Sequence, residues 1–167
     1  MSSDRQPDTP VSASAGEDLE DYWSQLYPEL ARKPWTPLQA ARPFDPADQP
    51  TCGGQPTNNY VLFYCVPDDY VGFDAVKAMP QIYMRGGDFA VATLIATQYG
   101  LAALIRDGQD ADAKITSLRA DCLAGGWVAS VLLQNRPESP RSSSSAAPLT
   151  WRAKRRDRLA SMPTATA

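Results

Sequence analysis

The 167-residue chain predicts an α+β fold on three observations. Two long apolar segments, Phe89–Ile105 and Ala113–Asn135, have the length and composition of helices. The run Asn59–Val66 (NYVLFYCV) is aromatic and β-branched, and Pro67-Asp68-Asp69 joins it to a second short run at Tyr70–Phe73. That pattern is a β-hairpin. Near the N-terminus, Leu19, Tyr22, Trp23, Leu26, Tyr27 and Leu30 recur at spacings of three and four, the signature of a helix with one core-facing stripe.

Composition narrows the function classes. A hydrophobic content of 43% is enough to build a core. The chain contains no His, so it cannot supply an imidazole as metal ligand, general base or proton shuttle. Charge is unevenly placed. Residues 1–140 carry ten basic and eighteen acidic side chains, whereas residues 141–167 carry six basic and one acidic. An acidic body with a short basic tail is not the footprint of a nucleic-acid-binding domain. No run of about 18 apolar residues occurs, so no transmembrane segment is expected, and Met1-Ser-Ser-Asp-Arg lacks the apolar core of a signal peptide.

In chain order, residues 1–18 are rich in Ser, Pro, Asp and Ala and read as a disordered lead-in. The domain proper is expected over 19–137. Its first helix, Leu19–Leu30, ends before Pro34 and Pro37, and residues 31–58 are loop-rich, with a short strand expected within Trp35–Phe44. Asp74–Met84 is helical in character, with a break or a start near Pro80. Gly86-Gly87-Asp88 then precedes the most apolar helix, Phe89–Ile105, which Gly108 stops. Asp112 is placed to cap the last helix, Ala113–Asn135, within which Gly125-Gly126 implies close approach of another backbone. Residues 138–167 form a low-complexity, basic, Ser- and Arg-rich tail, expected to be disordered.

Four segments carry a resemblance. Cys52-Gly53, FYCVPDD (Phe63–Asp69), GDFAVATLIATQYG (Gly87–Gly100) and LRADCLAGGW (Leu118–Trp127) resemble, in order and spacing, the bacterial neutral zinc metallopeptidase family. The likeness covers roughly Tyr22 to Leu133. It implies a zincin-like arrangement: a small antiparallel sheet, a buried central helix and a second long helix crossing it. In that family the buried helix bears HExxH, whose two His lie one turn apart on one face and reach one zinc ion, and a Glu on the next helix completes the site. Here Thr97 stands where the first His belongs, Gln98 replaces the general-base Glu, Leu101 replaces the second His, and Ser117 occupies the third-ligand position. Leu cannot ligate zinc, neutral hydroxyls are poor ligands, and Gln has no basic site near neutral pH. The chain is therefore expected to be a degenerate member without metal, cofactor or peptidase activity.

The resemblance also pairs Cys52 with Cys65, with free thiols as the alternative, and implies an extracytoplasmic or cell-envelope setting, the alternative being cytoplasmic. A bond there would contribute roughly 3 kcal/mol. Asp121, the surviving carboxylate, is expected to hydrogen-bond Thr97, Gln98 or a nearby backbone group, and Cys122 to pack in the core. Asp68, Asp69 and Asp74 fit turn chemistry better than a calcium loop. The leading expectation is a pseudopeptidase that binds a peptide or protein in a cleft beside Thr97, Gln98 and Leu101. An enzyme with non-zinc chemistry around Asp121 and Cys122 is one alternative. The other is an assembly protein using Tyr22, Trp23 and Trp35 as a partner surface. Oligomeric state and ligand identity are left open by the sequence.

Overall fold

A computed structural model describes residues 9–39 and 41–133, and it is an α+β fold. Helix α1 spans Thr9–Ala31, five short strands follow, and α2 (Ala78–Arg106) and α3 (Lys114–Leu133) complete the order. The strands are β1 (Ala41–Phe44), β2 (Thr51–Cys52), β3 (Gln55–Pro56), β4 (Leu62–Cys65) and β5 (Tyr70–Asp74). The basic tail from 138 onward lies outside the described residues.

Helix α1 begins well inside the segment expected to be disordered. Its early turns are held by tertiary contact, since Ala15 is fully buried and Asp18 accepts a hydrogen bond from Trp127 Nε1 at 2.9 Å. Small residues give little periodic signal, which is why composition alone read this stretch as a lead-in. The stripe behaves as its spacing requires. Leu19, Trp23 and Tyr27 are buried and Tyr22 and Leu26 partly so, while Leu30 remains largely exposed. Trp23 and Trp35 stack within the core at 5.6 Å, and both are buried.

The predicted hairpin forms with β4 antiparallel to β5, Cys65 opposite Tyr70 and Leu62 opposite Phe73. The sheet is mixed rather than purely antiparallel, because β1 lies parallel to β5 on its other side, giving the order β1-β5-β4. Every residue of the central strand β5 is buried. Gly72 in that strand lies under the ring of its cross-strand partner Phe63, where an added Cβ would come within 2.5 Å of the ring. A glycine roofed by an aromatic ring fills the sheet face without a side chain of its own. A second, two-stranded hairpin, β2–β3, turns through Gly53 and Gly54, whose φ values of 57° and 76° suit the tight turn.

The buried carboxylate of Asp74 ends β5 and starts α2. It accepts hydrogen bonds from the N–H groups of Val76, Lys77 and Ala78 at 2.8–3.1 Å, donors that a helix start leaves unpaired. Pro80 sits in the first turn, where its missing N–H costs nothing. Gly87, at φ 69° and ψ −169°, breaks the element into two helical pieces at the position the sequence marked. From Gly87 to Arg106 no residue is exposed, so the apolar circumference is covered by α1, the sheet and α3. By length and composition α2 could cross a membrane, but it is the central helix of this core.

Helices α2 and α3 approach closely at Gly100, where an added Cβ would lie 2.8 Å from the Ala120 carbonyl oxygen. The close approach foreseen at Gly125-Gly126 is different in kind. Gly126 faces the Tyr22 hydroxyl, and Gly125 faces open space. Replacing Gly100 by Ala should therefore destabilise the fold by about 1–3 kcal/mol, because backbone cannot yield. Gly126→Ala should be close to neutral, since a helical alanine gain offsets a small shift of the Tyr22 side chain. Urea unfolding of the two variants checks the contrast.

Candidate functional site

The motif positions of α2 and α3 hold no metal-binding set. Thr97 Oγ1 donates to the Leu94 carbonyl at 2.7 Å, and Gln98 Nε2 donates to Thr97 Oγ1 at 3.2 Å. Both side chains, like that of Leu101, are half-buried. Ser117 and Asp121 are exposed, and neither is hydrogen-bonded to Thr97, Gln98 or Leu101 among the described residues. The expected bonding of Asp121 is thus corrected. On α3 the inward positions are Thr116, Ala120, Ala124, Trp127 and Val131, and one residue past Ala120 points to solvent. Cys122 is corrected for the same reason: it is the free cysteine and it is exposed.

A groove opens further along α2, beyond Leu101. It has a volume of about 330 Å³ and runs between α1, the end of α2 and α3. Trp23, Tyr27 and Leu30 form one wall, Leu104 the floor, and Cys122 and Leu123 the other wall, with Asp107 and Arg119 also lining it. None of Thr97, Gln98 and Leu101 lines this groove, which lies about a turn further along α2. Arg119 is engaged through a 2.6 Å hydrogen bond from its guanidinium to Gln109 Oε1. Cys122 has no hydrogen-bond partner among the described residues. The surface is suited to apolar side chains.

Behind this groove lies a polar network that sequence reading missed. Glu20 on α1 accepts hydrogen bonds from Trp35 Nε1 at 2.7 Å and from the Leu38 N–H at 2.9 Å. The Tyr99 phenol of α2 lies beside the same carboxylate and interacts with it electrostatically. Arg106 stacks its guanidinium over Trp35, donates to the Thr36 carbonyl, and pairs with Asp69 at 2.6 Å. Tyr64 donates to the other oxygen of Asp69, also at 2.6 Å. Burial raises the Glu20 carboxyl above its ordinary value, against the opposing pull of its donors and of Arg106. The Tyr99 hydroxyl is raised strongly by burial and by the Glu20 charge, and burial with the neighbouring Asp69 pushes Tyr64 up to about 12. A half-buried carboxylate with two hydrogen-bond donors and a neighbouring phenol, together with the Tyr64–Asp69–Arg106 contacts, makes a framework. Glu20 sits on the polar side of the α1 stripe, and its partners are 15 to 79 residues away, so no local pattern announced it.

Cys52 and Cys65 are joined by a disulfide that ties the β2–β3 hairpin to the end of β4. Asp68 lies against this bridge and accepts a hydrogen bond from the Gly53 N–H at 2.6 Å. With both sulfurs in the bond, their thiolates are unavailable to a metal.

Comparison with known proteins adds nothing to this geometry: no family model matches the chain, and no curated protein or solved structure is similar to it.

Two outcomes follow. Reduction of the disulfide, or paired Cys52→Ser and Cys65→Ser replacement, should lower unfolding stability by about 3 kcal/mol, measured by chemical denaturation with and without reductant. Replacing Glu20 by Gln leaves either the Trp35 or the Leu38 donor without an acceptor and should cost about 1–3 kcal/mol. The pH dependence has a definite sign. A carboxyl raised in the folded state binds its proton more tightly there than in the unfolded chain, so its contribution is full below the ordinary value of 4.5 and is lost as pH rises through the raised value. The stability gap between wild type and Glu20→Gln should therefore narrow as pH climbs from 4.5, and a series of urea midpoints reads it.

Proposed function

We propose that this chain is a non-catalytic relative of the bacterial neutral zinc metallopeptidases, a domain that binds a peptide or protein without cutting it. The observation that carries the reading is the combination on one helix. Where the family motif requires His, Glu and His, α2 has Thr97, Gln98 and Leu101, already satisfied locally or apolar, and its next turn floors an apolar groove of peptide-side-chain size. Zinc hydrolysis needs a Lewis acid and a base to activate water, and these residues supply neither. An apolar channel flanked by Tyr27 and Leu30 can seat one or two large side chains of an extended or helical segment. The disulfide supports an oxidising, extracytoplasmic setting for this binding role.

The exposed positions of Asp121 and Cys122 give the non-zinc enzyme reading no enclosed, desolvated site in which to shift an acid or activate a thiol. The expected result for the purified full chain is substoichiometric zinc by elemental analysis and no chelator-sensitive peptidase activity. Peptides selected from a displayed random library should bind, and Leu30→Glu, at a position 58% exposed, should weaken that binding at least tenfold while leaving the fold intact. Stoichiometric zinc with hydrolysis that is lost on Gln98→Ala overturns the reading.

A further inference from the structure

Helix α3 is apolar on two faces, and only one of them is covered. Its inner face, Thr116, Ala120, Ala124, Trp127 and Val131, is buried against the rest of the domain. Its outer face carries Ile115, Leu118, Cys122, Gly125, Ala129 and Leu132, and every one of these is exposed. The spacings are three, four, three, four and three, which is the seam of a helix that packs on another helix. Ile115, Leu118 and Leu132 are 52%, 51% and 40% exposed, large values for aliphatic side chains aligned on one helix. A helix that is apolar all round normally has partners on both sides.

We propose that this outer face pairs with the α3 of a second copy of the chain, the two helices antiparallel. The side-chain sizes along the stripe are complementary to a second, antiparallel copy of it. Every stripe residue has a counterpart equidistant from the midpoint between residues 123 and 124. An antiparallel pair centred there sets Ile115 against the partner copy's position 132, Leu118 against 129 and Cys122 against 125. Leu118 thereby meets an alanine and Cys122 a glycine, so a larger side chain faces a smaller one in the middle layers. Gly125 has open space before it, which allows the two backbones the close approach of about 8 Å that small residues permit. A parallel pair would instead set Gly125 on Gly125 and Ala129 on Ala129, leaving a void, and would align the two helix dipoles unfavourably.

Size supports a second copy and sets the strength. From Ile115 to Leu132 the stripe runs about 26 Å along the helix. Two such faces bury on the order of 1,000 Å² in total, near the lower edge of specific interfaces. At that size a weak, reversible dimer is expected. The association stands apart from the peptide-binding reading. The groove opens on the side of α3 that bears Leu123 and Arg119, and only Cys122 borders both surfaces.

Sedimentation of the full chain over a concentration series should show the mass doubling. Leu118→Glu and Ala129→Arg, both at solvent-facing positions, should each hold it monomeric with an unchanged circular dichroism spectrum. Orientation is read by oxidation in a Cys122→Ser background. Mixing an Ile115→Cys chain with a Leu132→Cys chain should give the mixed disulfide in several-fold excess over either symmetric product. A predominance of Ile115→Cys homodimers overturns the antiparallel pairing, and a dimer that survives both charge variants overturns the use of this face. A chain that stays monomeric throughout overturns the proposal. If removing residues 134–167 then produces the dimer, the face belongs to the chain's own C-terminal segment. If it does not, the face belongs to a different protein.

Discussion

Half-burying Glu20 strips its carboxylate of part of its water, and the fold offsets some of that loss by converging donors on it from other parts of the chain. Trp35 and Leu38 approach from the segment after α1, and Tyr99 from the middle of α2. A group of this kind is costly if any partner is missing and rigid when all are present. It therefore fixes the angle of α1 against α2 and anchors the irregular Trp35–Leu38 stretch, which has little regular structure of its own. Trp35 extends the constraint. Its ring lies under Arg106, and Arg106 reaches Asp69 and thereby Tyr64 on the sheet. Helices and sheet are joined through one chain of polar and charge-assisted contacts along the edge of the core.

The second constraint is steric. Gly100 lets the backbones of α2 and α3 meet at Ala120, and this contact sets where the motif positions fall. Thr97, Gln98 and Leu101 share the central helix with the buried Tyr99, whose hydroxyl belongs to the Glu20 network. In the proposed pseudopeptidase this is how shape outlasts chemistry. The residues that hold the helices together are different from those that would hold an ion, so the latter can be replaced by Thr, Gln, Leu and Ser without loosening the frame.

Resemblance to a hydrolase family and exposure to solvent point to different parts of the surface. The motif positions are half-buried and locally satisfied, whereas the groove lies beyond Leu101 and the unpartnered stripe lies on the far side of α3. The proposed binding thus draws on surface that a catalytic motif does not mark. Asp121 and Cys122 illustrate the point. Sequence placed them within a matched segment, yet they project outward because the inward register of α3 is carried by Ala120, Ala124 and Trp127.

The sequence by itself determined what is local. The α1 stripe, the β4–β5 hairpin with its aspartate turn, the helix break at Gly87 and the absence of any imidazole were all legible, since each depends on residues within a few positions or on composition. The Cys52–Cys65 bond was expected only through the resemblance. Tertiary structure alone decided the rest: the early start of α1, the parallel pairing of β1, the Glu20–Tyr99–Arg106–Asp69 network, and which of the two apolar faces of α3 would be covered. The physical reason is distance along the chain. A helix apolar on both sides carries no periodic signal for its orientation, and a half-buried carboxylate gives no sign of donors that arrive from tens of residues away.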